Sequence, residues 1–78
     1  PDHAPAALVS RALGLLTRNT DEPWVARAAV WQLVKRMDTT LDLREQGFDS
    51  FTALLGSLGG VVELGANEWA NHLRLRPV

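Results

Sequence analysis

Two histidines, three serines and nine carboxylates are the groups with which these 78 residues could attempt catalysis. Hydrolysis by a serine needs its hydroxyl held against a histidine whose other nitrogen meets a carboxylate. Ser10, Ser50 and Ser57 show no such histidine–acid partnership, and His3 and His72 stand near opposite ends of the chain. Zinc requires four ligands, or three and a water. With no cysteine and two distant histidines, no spacing offers that set. The expectation is a chain that is not an enzyme and carries no catalytic residue, metal or cofactor.

Binding is better provided for. Lys35 and Arg36 close one apolar stripe, Arg44 follows in a polar stretch, and Arg74 and Arg76 alternate with leucines near the end. These segments hold five of the eight basic residues, a pattern suited to phosphate contacts that position a nucleic acid without reading it. The ordinary alternative is solvation, or cations complementing a helix C-terminus. Arg27, Trp31 and Lys35 are spaced four apart, as on one side of a helix, and an aromatic between cations suits base stacking. Trp31 could equally fill space against the first helix, and both readings stay open.

These residues need elements to hold them. Leu8, Ala12, Leu15 and Leu16 follow a helical stripe within 6–17, ended by the breaker Asn19-Thr20-Asp21-Glu22-Pro23. Trp24-Val25 reads as a short strand, with Trp24 as its anchor. A second helix spans 26–37, with Ala29, Val30, Leu33, Val34 and Met37 on its buried face. Asp38-Thr39-Thr40 interrupts it. Past Gly47 a third helix is capped by Asp49 or Ser50, buries Phe51, Leu54, Leu55 and Leu58, and stops at Gly59-Gly60. Val61 to Leu64, a turn over 65–68 and Trp69 to Arg76 then follow. There Leu73 and Leu75 alternate with His72, Arg74 and Arg76, as in a half-buried strand. Trp69 shares the parity of the leucines, which argues for inward packing, but at the wing it could equally be a contact residue, and both readings stay open.

Three helices followed by a C-terminal β-hairpin define an α+β winged helix-turn-helix. The expected core is Leu8, Leu16, Val30, Leu33, Val34, Phe48, Phe51, Leu54, Leu55, Leu58, Val62, Leu73 and Leu75. Residues 1–4 read as a linker or cloning remnant and 5–78 as the domain, with no room for a second core. The net charge of −1 announces no basic field. The outward positions of the third helix, Ser50, Thr52, Ala53, Gly56 and Ser57, include no Arg, Lys, Asn or Gln. Those side chains make the usual bidentate base contacts, so sequence-specific reading of duplex DNA is not expected. No apolar run is long enough for a membrane span and no signal sequence opens the chain, so the expectation is a soluble, cytoplasmic protein with no membrane partner.

Trp24-Val25, Lys35-Arg36, Asp42-Leu43-Arg44-Glu45-Gln46-Gly47-Phe48 and Ser50-Phe51-Thr52-Ala53-Leu54-Leu55 together resemble the OST-HTH or LOTUS family over about residues 5–76. The acidic-x-Arg-acidic-x-Gly-aromatic run of 42–48 is its most specific element, and Leu73-Arg74-Leu75-Arg76 fits the family's last strand. The chain departs from the family at Trp31, where Gly is frequent, and at Thr39, where Pro is common. The resemblance implies an RNA-binding winged helix with a preference for G-rich or quadruplex RNA. It also implies two kinds of partner: a NYN-type nuclease domain in the same chain, or a DEAD-box helicase. Lys35, Arg36, Arg44, Ser50, Thr52, Arg74 and Arg76 are then the expected RNA contacts, with Trp31 as a stacking residue.

Two alternatives remain. One is a protein-interaction module that docks a helicase or another domain through its helix faces. The other is remote: Gly47-Phe48-Asp49-Ser50 is similar to the Gly-x-Asp-Ser-Leu element of acyl carrier proteins, which implies phosphopantetheine on Ser50. A carrier stays helical beyond that serine, whereas Gly56 and Gly59-Gly60 break the helix here.

Overall fold

The computed structural model describes residues 5–76. Three α-helices and three short strands follow one another as α1 (Pro5–Leu16), β1 (Val25–Ala26), α2 (Arg27–Met37), α3 (Phe51–Ser57), β2 (Val62–Leu64) and β3 (His72–Leu75), with a 3-10 turn over Asn67–Trp69. The strands form an antiparallel sheet of order β1-β3-β2, so the last strand is central. Val25 pairs with Leu73, and Val62, Glu63 and Leu64 pair with Leu75, Arg74 and Leu73. This is the expected α+β winged helix-turn-helix. Residues 1–4 and 77–78, and with them His3, lie outside the described residues.

The core is wholly apolar. Leu8, Val9, Ala12 and Leu13 of α1, Val30 and Val34 of α2, and Phe51, Leu54 and Leu55 of α3 close over Val62 and Leu73. Leu33, Phe48 and Leu58 pack around them, partly buried. Two expected core residues are instead exposed: Leu16 at 36% and Leu75 at 41%. In α1 the buried stripe runs 8, 9, 12, 13 rather than 8, 12, 15, 16, and Leu15 is exposed as well. A helix with leucines on most sides allows two phases, and only the partner surface selects one. Leu75 keeps the inward parity of Leu73, but α1 covers it only at the margin, where it borders a groove with Leu13 and Thr17. Ala29, expected on the buried face of α2, is exposed.

The loop between α2 and α3 is built by its own polar groups. Asp38 Oδ1 accepts from the Thr40 amide (3.0 Å) and hydroxyl (2.6 Å), and Asp42 Oδ1 accepts from the Arg44 amide at 2.9 Å. Gly47 adopts φ +90°, a region costly for any residue with a Cβ. The reversal lets the Phe48 amide donate to Leu43 O at 2.9 Å, and Phe48 then reaches the core. The most family-specific run of the sequence is therefore a turn. Ser50, not Asp49, caps α3, its Oγ accepting from the Ala53 amide at 3.2 Å. A seven-residue helix followed by a sheet does not match the helical continuation of a carrier protein, and that reading is set aside.

Candidate nucleic-acid interface

The net charge conceals a segregation. None of the three α-helices contains Asp or Glu, while together they carry Arg11, Arg27, Lys35 and Arg36. The described carboxylates occupy the loops, β2 and the 3-10 turn. The surfaces of α1 and α2 are thus locally positive on a chain whose net charge is −1.

At the α2–α3 corner the structure joins several of the expected contacts. Trp31 stacks on Phe51 with centroids 4.9 Å apart and planes at 30°, so one face of the half-buried indole packs against α3. Lys35 Nζ lies 5.3 Å from the Trp31 centroid, a cation–π contact that holds the ammonium at the surface. Ser50 and Thr52 flank Phe51 and are exposed, although the Ser50 hydroxyl is already engaged as the helix cap. Arg36, in the last turn of α2, and Arg44, in the loop, are exposed, and neither side chain has a hydrogen-bond or ion-pair partner among the described residues. These cations can accept phosphates without first breaking a bond.

Arg74 and Arg76 are differently placed. Arg74 donates from Nε and Nη2 to Glu63 Oε1 at 2.7 and 2.6 Å, and its guanidinium carbon lies 5.1 Å from the Trp24 centroid. Arg76 folds back on backbone, donating from Nε to Gly59 O at 2.6 Å and from Nη2 to Val62 O at 3.5 Å. Both therefore hold the wing together, and neither meets the Lys35–Trp31–Phe51 cluster.

Sequence reasoning missed a second aromatic group. Trp69 is not turned into the core: it is half-buried and stacks on Trp24, with centroids 5.8 Å apart and planes at 14°. The signal was weak, because the 3-10 turn over Asn67–Trp69 breaks strand parity before β3 begins. Asn67 and Asn71 both take positive φ, 58° and 66°, around that turn. Asn71 Oδ1 accepts from Arg27 Nη2 at 2.7 Å and its carbonyl accepts from the Arg27 amide at 2.8 Å, which ties the wing to the start of α2.

Among the described residues no cluster of three or more His, Cys, Asp or Glu could hold a metal ion, and no helix is long and apolar enough to cross a membrane. Three helices capped by a three-stranded antiparallel wing, with cations at the α2–α3 corner, define a winged-helix binding module. The family model of the OST-HTH/LOTUS domain matches residues 4–68, most of the chain, and the protein belongs to that family of RNA-binding modules. The match ends before β3, so the last strand lies beyond it. No curated protein and no solved structure matches the chain significantly.

Proposed function

We propose that this chain is a non-catalytic RNA-binding module whose main electrostatic contacts are Lys35, Arg36 and Arg44 at the α2–α3 corner. The observation that carries this reading is the corner itself: Lys35 seated on Trp31, Arg36 unpaired in the same last turn of α2 and Arg44 unpaired in the loop that leads to α3, in a domain whose α-helices carry no carboxylate. Ser50 and Thr52 border the patch and offer polar contact to sugar or phosphate. Arg74 and Arg76 contribute at the wing through donors not committed to Glu63 or backbone. The smooth outer face of α3 suits a flat RNA surface, which supports a preference for G-rich or quadruplex RNA. In the parent protein such a module would deliver RNA to a NYN-type nuclease domain, in the cytoplasm.

The test is a binding screen of the domain against quadruplex, single-stranded, hairpin and duplex RNA at two salt concentrations. Phosphate contacts make affinity fall as salt rises. The expected result is binding in the micromolar range or weaker for generic RNA, tighter for a preferred structured RNA, and salt-sensitive throughout. Failure of every probe to bind would refute the proposal.

One observation favours a second reading as a protein-docking module, with a helicase among the partners. A groove of 260 Å³ lies between the end of α1 and β3, lined by Leu13, Thr17, Thr20, Asp21, Glu22, Pro23 and Leu75, with Leu15 and Leu16 exposed on the same helix. An apolar floor with an acidic rim suits a basic amphipathic segment. Such docking would be far less sensitive to salt than phosphate contact.

A further inference from the structure

The sheet has a second chemistry on the side away from the core. Val25 pairs with the fully buried Leu73, and strand neighbours alternate in direction, so Trp24, His72 and Arg74 face outward. Glu63, paired with Arg74, joins them. The buried residues of all three helices gather with Leu73 and Val62 on the other side. Trp69, brought over by the 3-10 turn, lies nearly parallel to Trp24, and His72 meets it edge-on at 5.4 Å.

A tryptophan pair alone would stiffen the wing. The hydrogen-bond capacity left around it points further. Both bonds from Arg74 end on Glu63 Oε1, so Oε2 has no hydrogen-bond partner among the described residues. His72 Nδ1 lies 2.9 Å from Ala70 O. A carbonyl only accepts, so Nδ1 is the donor, and in the neutral ring Nε2 is left as an acceptor. Half-buried π-faces, a guanidinium plane and two spare acceptors complement a planar ring that has donors on its edge.

We infer that the outer face of the sheet is a stacking subsite for an unpaired RNA base, with the Trp24–Trp69 pair as its platform and Glu63 favouring bases that present N–H groups on the Watson–Crick edge. The inference rests on the RNA-binding reading and adds a subsite to it. Guanine offers two adjacent donors there, whereas uracil offers one between two acceptors. A base held in a quadruplex or a duplex has that edge occupied, so this subsite takes single-stranded RNA. Glu63 pairs with Arg74 and Glu68 neighbours Trp69, so most of the subsite's affinity comes from stacking rather than from phosphate attraction.

The experiment uses single-stranded oligonucleotides of equal length: a guanine–adenine repeat, a uridine run, and an abasic strand that retains every phosphate. Trp69→Ala is expected to lower affinity for the purine strand roughly 5- to 100-fold, the range seen when one stacking aromatic is removed. The ratio should be the same at low and high salt, and abasic binding should not change. Glu63→Gln should narrow the preference for purine over uridine. Quenching of tryptophan fluorescence by the purine strand, but not by the abasic one, reads the same contact in the unaltered protein should Trp69→Ala fold poorly. Equal affinity of the unaltered protein for abasic and purine strands would overturn the subsite while leaving RNA binding intact. So would a folded Trp69→Ala that binds the purine strand normally, which would leave this face to a protein. If no strand binds the unaltered protein, the subsite and the RNA-binding reading fall together.

Discussion

Phe51→Ala is the most demanding test of the packing that sets the α2–α3 corner. Phe51 is the first residue of α3, is 8% exposed, and stacks on Trp31 at 4.9 Å, so one side chain seals the core and supports the indole beneath Lys35. Removing a buried phenyl forfeits its transfer free energy and leaves a cavity, together about 3–5 kcal/mol. A domain of 78 residues holds about 4–12 kcal/mol in all, at the usual stability per residue. The substitution should therefore leave the domain barely folded, with its thermal midpoint lowered by tens of degrees. Phe51→Leu separates the causes, since it keeps most of the volume and loses the ring pair, for a cost of about 1 kcal/mol. Urea melts followed by circular dichroism supply both values. A double-mutant cycle of Phe51→Leu with Trp31→Leu should give a coupling of about 0.5–1.5 kcal/mol. A Phe51→Ala loss below 1 kcal/mol, or a coupling of zero, would refute the claim that this pair joins α2 to α3.

Three further outcomes follow from local geometry. Ser50→Ala should cost about 1 kcal/mol in the same melts through loss of the α3 cap, and Asp49→Ala measurably less; the reverse order would contradict the assigned cap. Gly47→Ala should cost about 1–2 kcal/mol although nothing lies within 4 Å of an added Cβ, because the strain belongs to φ +90°; an unchanged melt would show that the loop relaxes freely. Gly65→Ala acts by contact instead: the new Cβ would lie 2.8 Å from Trp69 Cβ and closer still to the Trp69 carbonyl oxygen. It should destabilise the wing by about 1–3 kcal/mol and alter the near-ultraviolet signal of Trp24 and Trp69; an unchanged spectrum and melt would show that the turn yields.

How much of this was legible depended on how local the determinant is. The helix order, the Gly59-Gly60 stop and the period-two β3 segment are written in consecutive residues, and the fold class follows from them. Leu16 and Leu75 were misplaced because burial depends on what lies opposite. Periodicity fixes a face, but only the tertiary partner shows where the cover ends. The basic residues were visible as types, yet their availability was not. Arg74 and Arg76 read like Arg36 and Arg44 in sequence, but their partners, Glu63, Gly59 and Val62, sit 11 to 17 positions away. The Trp24–Trp69 stack joins residues still further apart through a turn with no strand parity, so no window of sequence contains it.

The central claim is that Lys35, Arg36 and Arg44 carry the phosphate contacts, and the salt slope of RNA binding tests it most directly. For a single strand each neutralised phosphate contributes a slope of about −0.7 in the logarithm of affinity against the logarithm of salt. The account predicts that replacing all three with Ala, in a protein shown by its melt to remain folded, weakens every RNA ligand and flattens the slope by about 2 units. A folded triple variant with the slope and affinity of the unaltered protein would contradict it.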